Sequence, residues 1–303
     1  MSFALECKEE LMTIKRNANE NIALLLGMVI SGAKTEDEKL CFRASNLEVT
    51  NYLLFLIKRL YGYDLKYFEE DIQSEKFLHT YQVCVSEVKE LMTILAQLHS
   101  YQEQIKKDVN LISAYLGGAF LARGSVNDPI SSKYHFEITV DNPNNAMFIQ
   151  QILNEYEFNA KITRRRTRLV IYIKDAEKIV DVLRLIKVKK QAFHYEDIRI
   201  ERDFNNSINR VINCEVANAQ KSLEAANEQL KYIKYLEYNY PLEKLDPKLL
   251  TLMKIRKDNP EATLVELIEI YARDYGETIS KPGLSHRFAK LKSLAIEHKK
   301  NRG

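Results

Sequence analysis

Apolar residues recur with helical and strand spacing, in an order that is repeated within the first two-thirds of the chain. The spacing predicts a helix over residues 4–16 and then a more apolar helix that carries Gly27. A strand (LCFRAS), an amphipathic helix ending at Gly62, two strands and another helix follow. From Asn110 the order begins again, with strands in YHFEITVDN, AKITRRR and RLVIYIK. The pattern predicts two copies of one α/β unit, with a repeat of about 90 residues.

The most apolar helix of each copy has a stripe of small residues four positions apart. The stripes are Ala23, Gly27 and Ser31 in the first copy, and Ala114, Gly118 and Ala122 in the second. Small residues let two helix axes approach unusually closely, because no Cβ holds them apart. We therefore expect the two helices to pack stripe against stripe about a pseudo-twofold axis.

A long helix is predicted for residues 206–240, which contain neither glycine nor proline. From Ile208 to Ile233 the apolar residues follow a spacing of four and three, which is typical of a coiled-coil seam. Such a seam could pair two copies of the chain or dock on the protein's own domains. Its content of Ala and Asn favours docking.

Three capped helices are predicted after Leu242, and Gly276 lies in the short connection between the last two. This arrangement is the helix-turn-helix pattern. The last helix should bury Leu284, Phe288, Leu291 and Ala295. Residues 279–303 contain seven basic residues and one acidic residue.

A basic helix that begins with Ser, His and Arg suits the major groove of double-stranded DNA. Polar side chains there can contact base edges, and lysines can neutralise phosphates. The predicted DNA-binding residues are Ser280, Lys281, Ser285, His286, Arg287, Lys290 and Lys292.

Composition narrows the class of protein. The 303 residues, 46% of them apolar and 29% charged, are enough for about two globular domains. The charged N-terminus does not resemble a signal peptide, and no run of about 18 apolar residues could span a bilayer. We expect a cytoplasmic, nucleoid-associated protein without a membrane partner.

Cysteines and histidines give no sign of a metal site. Cys7, Cys41, Cys84 and Cys214 are far apart in sequence and form no CxxC pair, so we expect reduced structural thiols. The histidines lack metal-ligand spacing. No phosphate-binding glycine loop or Ser/His/Asp pattern is present, so no cofactor and no small-molecule substrate are predicted.

These motifs resemble known families. The paired small-residue helices, with strands and helices between them, resemble the LAGLIDADG homing-endonuclease fold. The segments NRVINCEVANAQKSLEAANEQL and ISKPGLSHRFAKLKSLA, together with GGAFLARGSVNDP and SFALECKEEL, resemble the WhiA family of bacterial regulators over nearly the whole chain.

The resemblance implies an α+β protein with three parts. A degenerate LAGLIDADG-like repeat domain would cover residues 1–205, with copies at about 1–100 and 101–205. A long linker helix at 206–240 and an all-α helix-turn-helix domain at 241–303 would follow. The implied function is a transcription regulator of sporulation or cell division that binds double-stranded DNA.

Homing endonucleases end each signature helix with a carboxylate beside the final glycine, and the two carboxylates hold divalent metal ions. Arg123 takes that place in the second copy, and Gly32 or Ser31 takes it in the first. A guanidinium cannot bind Mg²⁺ and would repel it, so neither a catalytic residue nor a metal is predicted. Asp37 and Asp128 are the nearby carboxylates that could restore a site. An active homing endonuclease is the alternative.

The segment KITRRRTR provides possible contacts to the DNA backbone. Its basic residues, on a predicted hairpin, are Lys161, Arg164, Arg165, Arg166 and Arg168. Alternation should send Arg164 and Arg166 to one face and Arg165 to the other. A solvated hairpin is an equal alternative. The repeat domain could instead bind a protein, which makes a scaffold in cell division the other alternative function.

Overall fold

The computed structural model describes residues 2–36, 38–72, 78–131 and 133–301. The chain divides into two compact units, Met1–Asp203 and Phe204–Gly303. Within the described ranges, no helix combines the length and the apolar character needed to cross a membrane.

The first unit contains the two predicted copies. The first copy consists of α1 (Phe3–Thr13), α2 (Ala18–Gly32), β1 (Ala33–Glu36), β2 (Lys39–Ala44), α3 (Leu47–Tyr61), β3 (Phe68–Ile72), β4 (Leu78–Cys84), α4 (Lys89–Ala96) and α5 (Leu98–Ile105). The second consists of α6 (Val109–Arg123), β5 (Gly124–Val126), β6 (Phe136–Val140), α7 (Pro143–Glu155), β7 (Lys161–Arg165), β8 (Arg168–Ile173) and α8 (Ala176–Leu185). The antiparallel sheets have the equivalent orders β1-β2-β4-β3 and β5-β6-β8-β7, which confirms the repeat.

Local sequence sets the ends of these helices. The Asn17 side chain accepts a hydrogen bond from the Glu20 N–H at 2.9 Å, and the Glu20 carboxylate accepts one from the Asn17 N–H at 3.1 Å. This reciprocal cap satisfies two donors that the first turn of α2 leaves free. At the end of α3, Gly62 adopts a left-handed φ of 80°, which glycine tolerates without strain.

Helices α2 and α6 pack stripe against stripe, as predicted. A Cβ placed at Gly27 would collide with the carbonyl oxygen of Tyr115, and one at Gly118 would collide with that of Leu24. Backbone therefore meets backbone at both positions. Because the colliding atoms belong to the main chain, neither helix can make room by changing a rotamer.

The long helix α9 spans Lys189–Asn239 and is about 75 Å long at about 1.5 Å per residue. It begins well before the predicted start at residue 206. The earlier residues also lack glycine and proline, and Ala192 and Tyr195 are buried in the first unit. The expected docking of the seam occurs only near its C-terminal end. Ile233 is buried there, whereas Val216 is 63% exposed.

The second unit is helical, with α10 (Pro247–Asp258), α11 (Leu264–Tyr275) and α12 (Lys281–Lys300) after a 3-10 turn at Leu242–Lys244. The core includes Leu252 and Leu267, together with Ile233 and Leu236 from α9. The residues predicted to be buried on the last helix are buried, namely Leu284, Phe288, Leu291 and Ala295.

Arg256 is a charged residue inside this core and is only 1% exposed. Its Nε donates to Gln229 Oε1 at 2.9 Å, and its Nη1 donates to the carbonyl oxygen of Ala262 at 2.6 Å. The guanidinium lies 5.5 Å from the ring centroid of Phe288. Burial lowers the pKa of Arg256 below its ordinary value. One side chain thus connects α9, the loop after α10, and α12.

We expect Gly118→Ala to lower the free energy of unfolding of the first unit by about 3 kcal/mol, because backbone atoms block the new methyl group. Gly117→Ala is the matched control. Its Cβ would meet only side-chain atoms, of Leu11 at 3.3 Å and of Leu24 at 3.7 Å, and alanine has the better helix propensity. Denaturant unfolding of the full chain measures both changes. Equal losses for the two variants would contradict the close approach.

Candidate nucleic-acid interface

Helix α12 presents a polar, basic face to solvent. The turn before it contains Gly276, which has a φ of 68°, and the Ser280 hydroxyl accepts a hydrogen bond from the Gly283 N–H at 3.2 Å. Ser280 is therefore the N-cap of the helix. Beyond this cap, Lys281, Ser285, His286 and Lys290 are predicted DNA-binding residues with exposed side chains.

The other two predicted residues of α12 form contacts within the unit. Arg287 is half-buried, its Nη1 donates to Tyr271 Oη at 2.9 Å, and its guanidinium lies 5.3 Å from that ring's centroid. It follows Leu284 by three positions and precedes Leu291 by four, so it flanks the buried stripe. Arg287 therefore lies at the edge of the exposed face of α12, against α11. Lys292 is exposed and pairs with Glu228 at 2.6 Å.

The basic hairpin of the first unit lies beside an open groove of about 750 Å³. Arg165 in β7 lies opposite Arg168 in β8, so both side chains lie on the open face of the sheet. Because side chains alternate between the two faces along a strand, Lys161 lies on the same face as Arg165. Arg164 lies on the opposite face, in agreement with the prediction that it is separated from Arg165. Arg166 does not share that face, because it lies in the turn with a φ of 55°.

Arg165 is partly neutralised by its neighbours. Its Nη1 and Nη2 donate to the two oxygens of Glu137, at 3.1 and 2.9 Å, and Glu137 Oε2 lies 2.9 Å from His135 Nε2. Burial favours the neutral carboxyl, but the hydrogen bonds from Arg165 and His135 outweigh it and hold the pKa of Glu137 below its ordinary value. Arg165 therefore has less free charge to offer DNA than its sequence suggests.

Arg123 ends α6 at the pseudo-twofold axis. Its Nη2 donates to the carbonyl oxygen of Gly32, the last residue of α2, at 3.4 Å. Gly32 is thus its counterpart in the first copy. Ser31 is buried and accepts a hydrogen bond from Asn145 Nδ2 at 3.3 Å.

Several cationic side chains surround the ends of α2 and α6. Asp141 lies 3.3 Å from Lys34 Nζ and 3.6 Å from Arg168 Nε. Burial, followed by the charge of Arg168, lowers the pKa of Arg123; Asp141 opposes this change and Arg43 adds to it. We call Lys34, Arg43, Arg123 and Arg168, with Asp141 among them, the central cation cluster. Asp141 is the carboxylate that its two exposed cations, Lys34 and Arg168, share.

The residues present do not fit the divalent metal that the homing-endonuclease fold implies. The two signature positions hold a guanidinium and a glycine, neither of which supplies a metal-binding oxygen from its side chain. Asp128 is exposed and its Oδ1 accepts a hydrogen bond from the Ile130 N–H at 2.8 Å, so it caps a turn. Asp37 lies outside the described residues. Among those described, no three His, Cys, Asp or Glu side chains gather into a metal-binding group.

Sequence reasoning missed three members of the cluster, Lys34, Arg43 and Asp141. Alternation along YHFEITVDN could have placed Asp141 on the open face of its strand. No local pattern could predict that Asp141 lies beside Lys34, because β1, which contains Lys34, and β6, which Asp141 follows, belong to different sheets. The short distance between Lys34 and Asp141 depends on how α2 and α6 pack against each other.

Two family models match this chain. The WhiA LAGLIDADG-like domain matches residues 112–205, and the WhiA C-terminal HTH domain matches residues 208–295. Both matches agree with the elements described above, since the first includes β5 to β8 and the second includes α10, α11 and most of α12.

The chain is also similar to full-length proteins. Probable cell division proteins WhiA from Lactobacillus delbrueckii subsp. bulgaricus and Staphylococcus carnosus are each 34% identical to it over 97% of its length, and it covers 98% and 96% of them. A crystal structure of full-length DUF199/WhiA from Thermotoga maritima shares the fold, with a TM-score of 0.60, 24% identity and 98% coverage of both chains. On this evidence, the chain belongs to the WhiA family.

Proposed function

We propose that this protein is a non-catalytic, sequence-specific DNA-binding regulator of transcription that associates with the nucleoid. The observation that carries this proposal is the exposed basic face of α12 in a helix-turn-helix. The relatives named as cell division proteins support a role in cell division, and the family resemblance adds sporulation.

In the proposed complex, α12 enters the major groove. Ser285 and His286 lie on its exposed face, where their side chains can contact base edges. Lys281 and Lys290 flank them and neutralise phosphates. Arg287 positions α12 against α11 through Tyr271.

The first unit adds contacts to the DNA backbone. Two members of its central cation cluster, Lys34 and Arg168, have side chains that are 41% and 44% exposed. The phosphate groups of DNA are the anions that such a surface attracts, and contacts to phosphate do not distinguish one base sequence from another. The first unit therefore contributes affinity and register, while α12 contributes specificity.

The proposed function does not include cleavage of DNA, because Arg123 takes the place of a metal-binding carboxylate. An acid at this position would attract a divalent metal, whereas the guanidinium repels one and can bind a phosphate oxygen directly. The same residue thus argues against the alternative of an active homing endonuclease.

One observation favours the scaffold alternative. On α9, outside the repeat domain, Ile208, Ile212 and Val216 of the seam and the neighbouring Val211 are exposed, and such a stripe suits a protein partner.

Lys290→Gln should reduce the dependence of binding on salt, because one phosphate contact is lost. With a duplex selected from a random library by the wild-type protein, we expect the slope of log K against log salt to fall by about 1. Lys254→Gln, which removes an exposed lysine of α10, should leave the slope unchanged. If both variants behave as wild type, Lys290 does not contact phosphate, which argues against the proposed placement of α12 and favours the scaffold function.

The double variant Lys34→Gln and Arg168→Gln should lower the salt slope by about 2, with equal losses on the selected duplex and on a scrambled one. The matched control, Lys89→Gln with Lys107→Gln, removes two exposed lysines elsewhere in the same unit. An unchanged slope in the first variant would remove the central cation cluster from the interface.

No nicked plasmid should form when the full chain is incubated with supercoiled DNA and Mg²⁺ or Mn²⁺, because Arg123 repels the metal. Agarose electrophoresis over a time course measures this. Metal-dependent cutting that disappears in Asp128→Ala would contradict the non-catalytic assignment.

A further inference from the structure

Two cysteines that are far apart in sequence lie side by side on the first sheet. Cys41 in β2 and Cys84 in β4 are partners in the register, and their Sγ atoms are 2.7 Å apart. The adjacent pair is hydrogen-bonded, with the Val85 N–H donating to the Leu40 carbonyl oxygen at 2.8 Å. Cys41 and Cys84 therefore form a non-hydrogen-bonded pair, in which Cα atoms are about 4.5 Å apart and side chains approach most closely.

This placement suits a covalent link. Disulfides form between residues whose Cα atoms are about 4.4–6.8 Å apart, so a bond between these strands requires little movement of the backbone. Both thiols are present and free. We propose that Cys41 and Cys84 are a site of reversible oxidation, at which a peroxide converts the two thiols into a cross-strand disulfide.

The reaction has two balanced steps. Cys84 is half-buried whereas Cys41 is only 2% exposed, so the Cys84 sulfur attacks the peroxide first. The O–O bond breaks, a sulfenic acid forms and one water leaves. The Cys41 sulfur then attacks the Cys84 sulfur, the S–O bond breaks and a second water leaves. The two thiols lose two electrons and two protons, and hydrogen peroxide is reduced to two waters.

The surroundings make the first step slow and the second fast. Burial, together with the hydrogen bond and charge of Cys41, raises the pKa of Cys84 to about 11. Little reactive thiolate is therefore present at neutral pH. Once the sulfenic acid exists, the second sulfur is already in contact with it, and no chain motion is needed.

The disulfide would fasten β2 to β4 across a separation of 43 residues that includes α3 and β3. Constraining a segment of this length restricts the unfolded chain, so the oxidised form should unfold at a temperature higher by about 5 °C or more. This proposal is independent of the proposed function, because it concerns only the thiols and the strands that hold them.

The test uses the full chain with Cys214→Ser, which removes the exposed thiol and its intermolecular reactions. After treatment with hydrogen peroxide, digestion and mass spectrometry should show one species that joins the Cys41 and Cys84 peptides and is two hydrogens lighter than their sum. Dithiothreitol should restore both thiols and reverse the rise in unfolding temperature.

Single variants in the same background separate the two steps. In Cys41→Ser, oxidation should stop at the Cys84 sulfenic acid, which dimedone traps, and the unfolding temperature should not rise. In Cys84→Ser, Cys41 should resist the same dose. If the two peptides are joined only after denaturation, or if both thiols of the folded protein survive peroxide unchanged, the proposal is overturned.

Discussion

The close approach of α2 and α6 determines the geometry of the whole first unit. Because Gly27 and Gly118 each face a carbonyl oxygen of the opposite helix, the axes are held by backbone contact. A buried chain of hydrogen bonds completes the junction. Tyr115 Oη donates to Asn145 Oδ1 at 2.6 Å, and Asn145 Nδ2 donates to Ser31 Oγ at 3.3 Å. This fixed spacing brings the ends of the two helices, and the strands that follow them, to one place. The central cation cluster is a consequence of that spacing.

Architecture and chemistry are separable in this fold because they use different positions of the same helices. Packing depends on small residues in the middle of each helix, whereas the chemistry of homing endonucleases depends on the last residue. A carboxylate at a helix C-terminus faces the negative end of the helix dipole and is favoured only when a cation accompanies it. Arg123 needs no such partner, since its charge suits that end of α6. The residue that ends the helix can therefore differ without any change at Gly118.

Much of the fold follows from local patterns in the sequence, and what was missed is non-local. Helix caps such as Asn17 and Ser280 lie where the residues indicate, and the two copies have the order that periodicity predicts. The start of α9 was missed because helical residues before position 206 looked like part of the preceding domain. The pairing of Cys41 with Cys84 depends on strand register, which a single strand does not specify. The central cation cluster depends on how the two sheets pack together, and neither the sequence of one strand nor the register of a strand pair specifies that packing.

The second unit shows why a count of basic residues overstates the number of exposed cations. Arginine's planar guanidinium can stack on a ring and donate several hydrogen bonds at once, so it suits the interior of a small domain. Arg256 is held in this way beside Phe288, and Arg287 beside Tyr271. Lysine concentrates its charge on a flexible, strongly hydrated ammonium, and Lys290 remains exposed. The arginines thus contact the neighbouring helices, and that packing determines which lysines remain exposed to solvent. On α12 the position of a cation relative to the buried stripe, more than its charge, decides whether its side chain is exposed to solvent.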